Sequence, residues 1–407
     1  MSEFQQSEQD LRSSMKPVPR ADSIGPLLKK HWNLDVFTTK QIESYDDANF
    51  YCKTGVNGIT PYLIKFYNAF DTENPNFLHG LPFMLSAINS AVKTGIEVPS
   101  IILPNQNATD NKITNFVFYD DCEVVDGSQR RVAVRVFKWI EGTTLSRVVP
   151  TITHMVQLGR AIADVTNALA GFDHPAFHRT HLWDLTQLDL SFPLLRFVDN
   201  QPVQECIRAV HQFFHKSVLP VAAQLPQSVI MADCNDANVL VTERAVADSQ
   251  CEVTGLIDFS DAVMTWTVNE IAIAMAYALL TSYGKESSYE ALGALFAGYC
   301  SMRPLSAVEL QCLPVLILTR LSISVMVGAF AISKEPDNPY LKLHAIPGRD
   351  AISFLSGKEA VQHTRYFAAV QERAISIVRP GMAQKEVVQA LADADVYRDA
   401  ISSVYGV

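Results

Sequence analysis

The run Val229-Ile-Met-Ala-Asp-Cys-Asn-Asp-Ala-Asn-Val-Leu-Val241, followed by Val253-Thr-Gly-Leu-Ile-Asp-Phe-Ser-Asp261, decides how this chain folds. Its short apolar bursts read as a strand–loop–strand island. Asp233, Asn238 and Asp258 interrupt the bursts, which puts them at strand ends or in a loop held by buried strands. Such a set suits phosphoryl transfer. One carboxylate accepts the attacking hydroxyl's proton, while an Asn oxygen and a second carboxylate hold the magnesium that bridges the nucleotide phosphates. The spacing D-x-x-x-x-N alone recurs by chance; between apolar runs, with Leu256-Ile-Asp-Phe259 about twenty residues on, it becomes specific. The competing reading is a polar hairpin loop whose Asp and Asn serve turn chemistry.

Upstream of the island the texture is short strands with one helix. Asn49–Lys53 and Tyr62–Tyr67 are strand-like, with residues 55–58 as the turn between them, and Arg131–Phe137 alternates as a strand does. Phe77–Val92 is apolar enough for a helix, although Gly80 and Pro82 weaken its first turn. Lys65, inside the apolar run Tyr62-Leu-Ile-Lys65, is the candidate cation for the nucleotide phosphates; the alternative is a snorkelling lysine on a half-buried strand. The segment Ser44-Tyr-Asp-Asp-Ala-Asn-Phe50 lacks glycine. Its backbone N–H groups and short side chains, notably Ser44, Asp47 and Asn49, are candidates for phosphate contact, set against an ordinary polar turn.

Downstream the chain turns helical. Met155, Leu158, Ile162, Val165 and Leu169 share one helical face, and residues 207–225, 268–281, 307–332 and 360–377 also read as helices. The expected architecture is α+β and bilobal, an antiparallel sheet lobe followed by a largely helical lobe with a cleft between them. Its expected parts are a mobile tail over 1–24, a nucleotide-binding lobe over 25–140, a catalytic and substrate lobe over 141–382, and an extension over 383–407.

Composition narrows the function. The chain has 407 residues, 48% hydrophobic and 19% charged, with a net charge of −10 and no block of basic residues. A sizeable core is expected and a nucleic-acid partner is not. Seven scattered cysteines without a C-x-x-C pair fit a reducing compartment better than a disulfide framework. The polar first twenty residues argue against a secretory signal. Leu313–Ile332 is very apolar, but Arg320 in its middle favours a buried helix, since a mid-bilayer arginine costs roughly 2.5–3.5 kcal/mol. A soluble cytoplasmic protein without membrane partners is expected. His174, His178 and His181 have a spacing compatible with zinc but no evident fourth ligand, and Cys234 lacks an identifiable base, so both read as structural.

Ser44–Phe50 also resembles the S-Y-D-D-x-N-F segment of hydroxylysine kinases, a branch of the aminoglycoside phosphotransferase-like kinases. The resemblance continues through Tyr62–Lys65, Asp173-His-Pro175 with Trp183, Asp233–Val241, Gly255–Phe259, Asn269–Ile273, Arg320–Gly328 and Glu335–Tyr340. It implies a protein-kinase-like fold, magnesium as cofactor, and transfer of a terminal phosphate from GTP or ATP to the hydroxyl of 5-hydroxylysine. It further implies Asp233 as base, Asn238 and Asp258 as metal ligands, Lys65 as phosphate contact, and residues 137–140 as the hinge against the base of the nucleotide. Three departures stand out. Met231-Ala-Asp233 replaces the family's His-Gly-Asp, Asp258-Phe-Ser260 replaces Asp-Phe-Gly, and residues 77–88 offer no acid to pair with Lys65, only Asp71 and Glu73 lying nearby. Losing a supporting hydrogen bond costs about 0.5–1.5 kcal/mol, whereas losing a general base costs about 10²–10⁴ in rate. The base and both metal ligands are present, which favours an active enzyme of weakened activity over a pseudokinase acting as a binding module. Asp261 and Glu270 are acids that a cationic substrate would meet, or equally members of structural ion pairs.

Overall fold

The computed structural model describes residues 11–42, 44, 46–55, 60–105, 113–114, 117–242, 252–282, 288–334, 336, 348, 365, 367–372 and 374. The turn expected over 55–58, most of 360–377 and the extension over 383–407 lie wholly or largely outside these residues. Two compact units divide the chain: residues 1–90, 98–140 and 174–177 form the first, and residues 91–97, 141–173 and 178–407 the second.

The first unit is built on a seven-stranded antiparallel sheet. Its strands are β1 (Val36–Ile42), β2 (Ala48–Thr54), β3 (Thr60–Phe66), β4 (Ile101–Ile102), β5 (Ile113–Thr114), β6 (Val117–Glu123) and β7 (Gln129–Lys138). They lie in the order β1-β2-β3-β7-β6-β5, with β4 paired to β7. Along β2, Ala48, Phe50, Cys52 and Thr54 are buried and the residues between them are half-buried, the alternation of a sheet with one packed face. Helix α1 (Ala21–Trp32) precedes the sheet and ends at left-handed Asn33, whose N–H bonds back to the carbonyl of Lys29.

The expected tail over 1–24 needs correction for its described part. Met15, Ile24, Leu28 and Trp32 are buried in one core with Phe50, Ile64, Phe118 and Val134. Arg12 reaches Asp46 at 3.0 Å and Asp71 at 2.7 Å, and Pro17 bridges Val124. Ile24, Leu28 and Trp32 recur at helical spacing, and this apolar stripe outweighs the polar composition around it.

Helix α2 (Ala69–Glu73) and helix α3 (Asn76–Ala91) follow β3. Gly80, which looked like a helix weakener, is where α3 meets the turn Pro175–Phe177; a Cβ there would stand 2.4 Å from that of Ala176. Arg135, opposite Lys65 on β7, is buried and donates to the Leu78 carbonyl of α3, tying helix to sheet without an acid on the helix.

The second unit is mostly helical, with α4 (Ile152–Ala168), α5 (Leu188–Ser191), α6 (Gln201–Phe213), α7 (Val268–Ser282), α8 (Ser288–Cys300) and α9 (Ala307–Lys334). The residues predicted to share one face of the α4 segment, from Met155 to Leu169, are all buried. Helices α4 and α8 pack closely where Gly159 faces the Leu295 carbonyl and Gly298 faces that of Val156. Helix α9 is long and apolar enough to cross a membrane by length and composition, yet most of it is buried within the unit. Small strands complete this unit: β8 (Thr143–Thr144), β10 (Val239–Val241) and β11 (Val253–Leu256) form one sheet, and β9 (Gln227–Ile230) pairs with β12 (Val263–Trp266).

Candidate active site

The island forms two loops fed by buried strands. The first, residues 231–238, joins β9 to β10 and carries Asp233 and Asn238; the second, residues 257–262, joins β11 to β12 and carries Asp258. β10 and β11 pair antiparallel with Val239 opposite Leu256, so Asn238 and Asp258 leave the same end of the pair. The Ile257 N–H donates to the Asn238 carbonyl at 2.9 Å and stitches the loops together. Asn235 shapes the first loop, its side-chain oxygen accepting from the N–H groups of Ala237 and Asn238. Asn238 donates its side-chain amide to the Asp233 carbonyl at 2.9 Å and to Asp233 Oδ2 at 3.0 Å.

Asp233 is held from both sides. Asn235 donates to Oδ2 at 2.8 Å, while Arg320 and Tyr277 donate to Oδ1 at 2.8 and 3.2 Å. Arg320 comes from the middle of α9 and is 1% exposed. Its guanidinium lies 4.8 Å from the Trp183 ring centroid and 5.1 Å from that of Tyr277, and it donates to the Trp183 carbonyl and the Tyr277 hydroxyl. In the sequence, Arg320 argues against a membrane span and opens the family-like segment Arg320–Gly328, but its partner is not visible there. The available signal was physical: one arginine in an apolar helix must find a charged partner when buried.

The departures at Met231 and Ser260 have local explanations. Met231 is buried, and its N–H donates to Glu270 Oε2 at 2.6 Å, so a carboxylate from α7 braces the loop backbone. Ser260 keeps an ordinary backbone, and its carbonyl accepts from Arg179 at 2.6 Å. Ala232 is different: its φ is +64°, the left-handed region where a Cβ costs about 1–2 kcal/mol. Ala232→Gly should therefore stabilise the protein by about 1 kcal/mol against chemical denaturation. A neutral or destabilising result would show that the native contacts of Ala232 outweigh its backbone strain. Asp258 is also left-handed at +60°, a conformation Asp tolerates, and its Oδ1 accepts from the Ser260 N–H.

Burial raises the Glu270 carboxyl to about 7, the backbone hydrogen bond from Met231 opposing. Unfolded, it ionises near 4.5, so its contribution to stability is present below that pH and is lost as pH rises through 7. At about 1.4 kcal/mol per pH unit, the loss is about 3 kcal/mol. Stability of the wild type relative to Glu270→Gln, measured by denaturation from pH 4.5 to 8, should decline by that order; a flat difference would contradict the assignment. Glu270 is thus structural. Asp261 stays one quarter exposed, 3.5 Å from His181, and desolvation together with the Asp233 charge pushes its carboxyl up. Cys234 is buried, and desolvation raises its thiol well above the usual range, in keeping with packing rather than nucleophilic attack. The three histidines do not form one cluster: His178 bonds Asp173, His181 faces Asp261, and His174 stacks on Phe83.

In the first unit, Lys65 does have an acidic partner. Its Nζ lies 2.8 Å from Asp47 Oδ2, both side chains are nearly buried, and Asp47 Oδ1 accepts from the Asn68 N–H. The acid comes from the segment before β2, while Asp71 and Glu73 of α2 pair with Arg12 and Arg130. Asp47, expected to contact phosphate, is the residue that pairs with this lysine. Asn49 stands directly opposite Lys65 across β2 and β3, and the Ser44 carbonyl accepts from Lys16.

The donor chemistry suits magnesium. Asn238 has committed its amide nitrogen to Asp233, so its oxygen is the atom that can ligate, and the Asp258 carboxylate is a second hard oxygen donor. Residues 38–309 match the phosphotransferase enzyme family. Hydroxylysine kinase of Xenopus laevis is 28% identical over 361 residues, spanning 85% of this chain and 93% of that protein. Homoserine kinase of Brucella ovis is 27% identical over 330 residues, spanning 77% of this chain and 88% of its own length. A microcompartment-associated aminopropanol kinase shares the fold, with a TM-score of 0.60 at 16% identity over 87% of this chain and 99% of its own.

Proposed function

The chain belongs to the phosphotransferase enzyme family, and on that premise we propose that it transfers the terminal phosphate of GTP or ATP to a hydroxyl of a small amino compound, 5-hydroxylysine foremost. The observation that carries this reading is Asp233, fixed between Arg320 and the side-chain amides of Asn235 and Asn238, with Asp258 on the loop stitched to theirs. Arg320 and Tyr277 hold Oδ1, which leaves Oδ2 to take the acceptor proton as the incoming hydroxyl displaces an asparagine amide. The acceptor oxygen then bonds to the terminal phosphorus, the bond from phosphorus to the bridging oxygen breaks, and the nucleoside diphosphate leaves. Magnesium, held by Asn238 and Asp258, would offset charge on the phosphates. Lys65, oriented by Asp47, would contact those phosphates, with Ser44 and Asn49 beside it.

The likeness to hydroxylysine kinases over most of both chains supports the acceptor class. The acidic net charge and the free state of the described cysteines support a cytoplasmic enzyme acting on small molecules, neither on nucleic acid nor at a membrane; cell fractionation tests this. A second reading, nucleotide binding without transfer, draws on Met231 in place of histidine and on the arginine pressed against Asp233. Purified protein with magnesium and GTP or ATP should phosphorylate 5-hydroxylysine faster than homoserine, ethanolamine or choline. Thermal stabilisation by magnesium–GTP without transfer to any acceptor would establish the second reading instead.

A further inference from the structure

We propose that Asp189, His211 and His215 form a surface binding site for a divalent transition-metal ion of the zinc class, separate from the magnesium centre. His211 Nε2 and His215 Nε2 approach the same carboxylate oxygen, Asp189 Oδ1, at 2.7 and 2.9 Å. One ligand atom from each residue lies within 4.8 Å of the others, and this is the single such cluster of three among the described residues. Zinc bonds of about 2.0–2.2 Å in a tetrahedron set ligand atoms about 3.3 Å apart, so occupancy asks only for small side-chain adjustments.

The local structure builds this convergence. Helix α6 runs to Phe213 and continues as a π-helical turn, Phe214–Val218, which brings His211 and His215 together with ring centroids 4.5 Å apart. Phe192 stacks on His211 at 3.8 Å and holds that ring, while Asp189 is delivered from α5 more than twenty positions earlier. Two imidazole nitrogens with one carboxylate favour zinc-like ions over magnesium, which prefers oxygen donors. The Asp189 and His215 side chains are 62% and 40% exposed, so an ion can enter from solvent and keep a fourth position for water. A bound ion would clamp α5 to the end of α6.

The test is zinc titration of the full chain by calorimetry, with cobalt absorption as the geometric readout. We expect one equivalent bound with micromolar or tighter affinity, a tetrahedral cobalt spectrum, and a rise in melting temperature of a few degrees. His215→Gln keeps a donor for Asp189 but removes the ring nitrogen, and should weaken zinc at least about tenfold with kinase turnover unchanged. Asp189→Asn serves as the second variant. Failure to bind one equivalent below about 100 μM, or wild-type affinity in both variants, would overturn the proposal; neither result bears on the phosphotransfer centre.

Discussion

Asp233→Asn is expected to lower acceptor-dependent turnover by about 10²–10⁴ while nucleotide binding and the folded state persist. Asparagine keeps the shape of the side chain but cannot take the hydroxyl proton, and it removes the negative charge facing Arg320 at 2.8 Å. The loop should survive, because Asn235 still caps the Ala237 and Asn238 N–H groups and Glu270 still braces Met231. Turnover with saturating acceptor, read beside a thermal shift with magnesium–nucleotide, separates chemistry from binding. Wild-type turnover in the variant would remove Asp233 from the role of base.

Arg320→Met should both destabilise the protein and slow it. The substitution strips a charge-assisted bond from Asp233 and leaves the Tyr277 hydroxyl and the Trp183 carbonyl without that donor, in a place where Arg320 is 1% exposed. Asp233 keeps partial solvent access, with 21% of its side chain exposed, so the expected loss is about 1.5–3 kcal/mol rather than that of a fully buried charge. Turnover should fall because the carboxylate loses the contact that fixes its orientation, with the KM for nucleotide changing little. Arg320→Lys should sit between the two, since an ammonium restores charge but not the planar fork that reaches Asp233, Tyr277 and Trp183 together. Equal stability and rate in all three proteins would deny Arg320 any positioning role.

The two units bear differently on what a sequence shows. The strand-like runs around Asn49, Lys65 and Arg131 became β2, β3 and β7, because alternation and β-branched composition act over neighbouring residues. Strand β1 and the two-residue strands β4 and β8 do not stand out in the sequence; they owe their form to pairing partners. The family resemblance points to an acid for Lys65 on α3, yet packing supplies it from the segment before β2, as Asp47. The glycine-to-alanine change at 232 was visible in the sequence, but only the backbone shows that it falls at a left-handed position while the change at Ser260 does not.

By itself the sequence determined the order Asp233, Asn238, Asp258 within apolar strands, and with it the expectation of a phosphotransferase, since spacing and periodicity are properties of neighbours along the chain. Tertiary structure decided which distant groups meet: Arg320 with Asp233 across 87 positions, Asp47 with Lys65, and the 11–24 segment with the sheet. The physical reason is burial. A charge taken from water must find a partner, and a pattern of neighbours cannot say which distant residue supplies it.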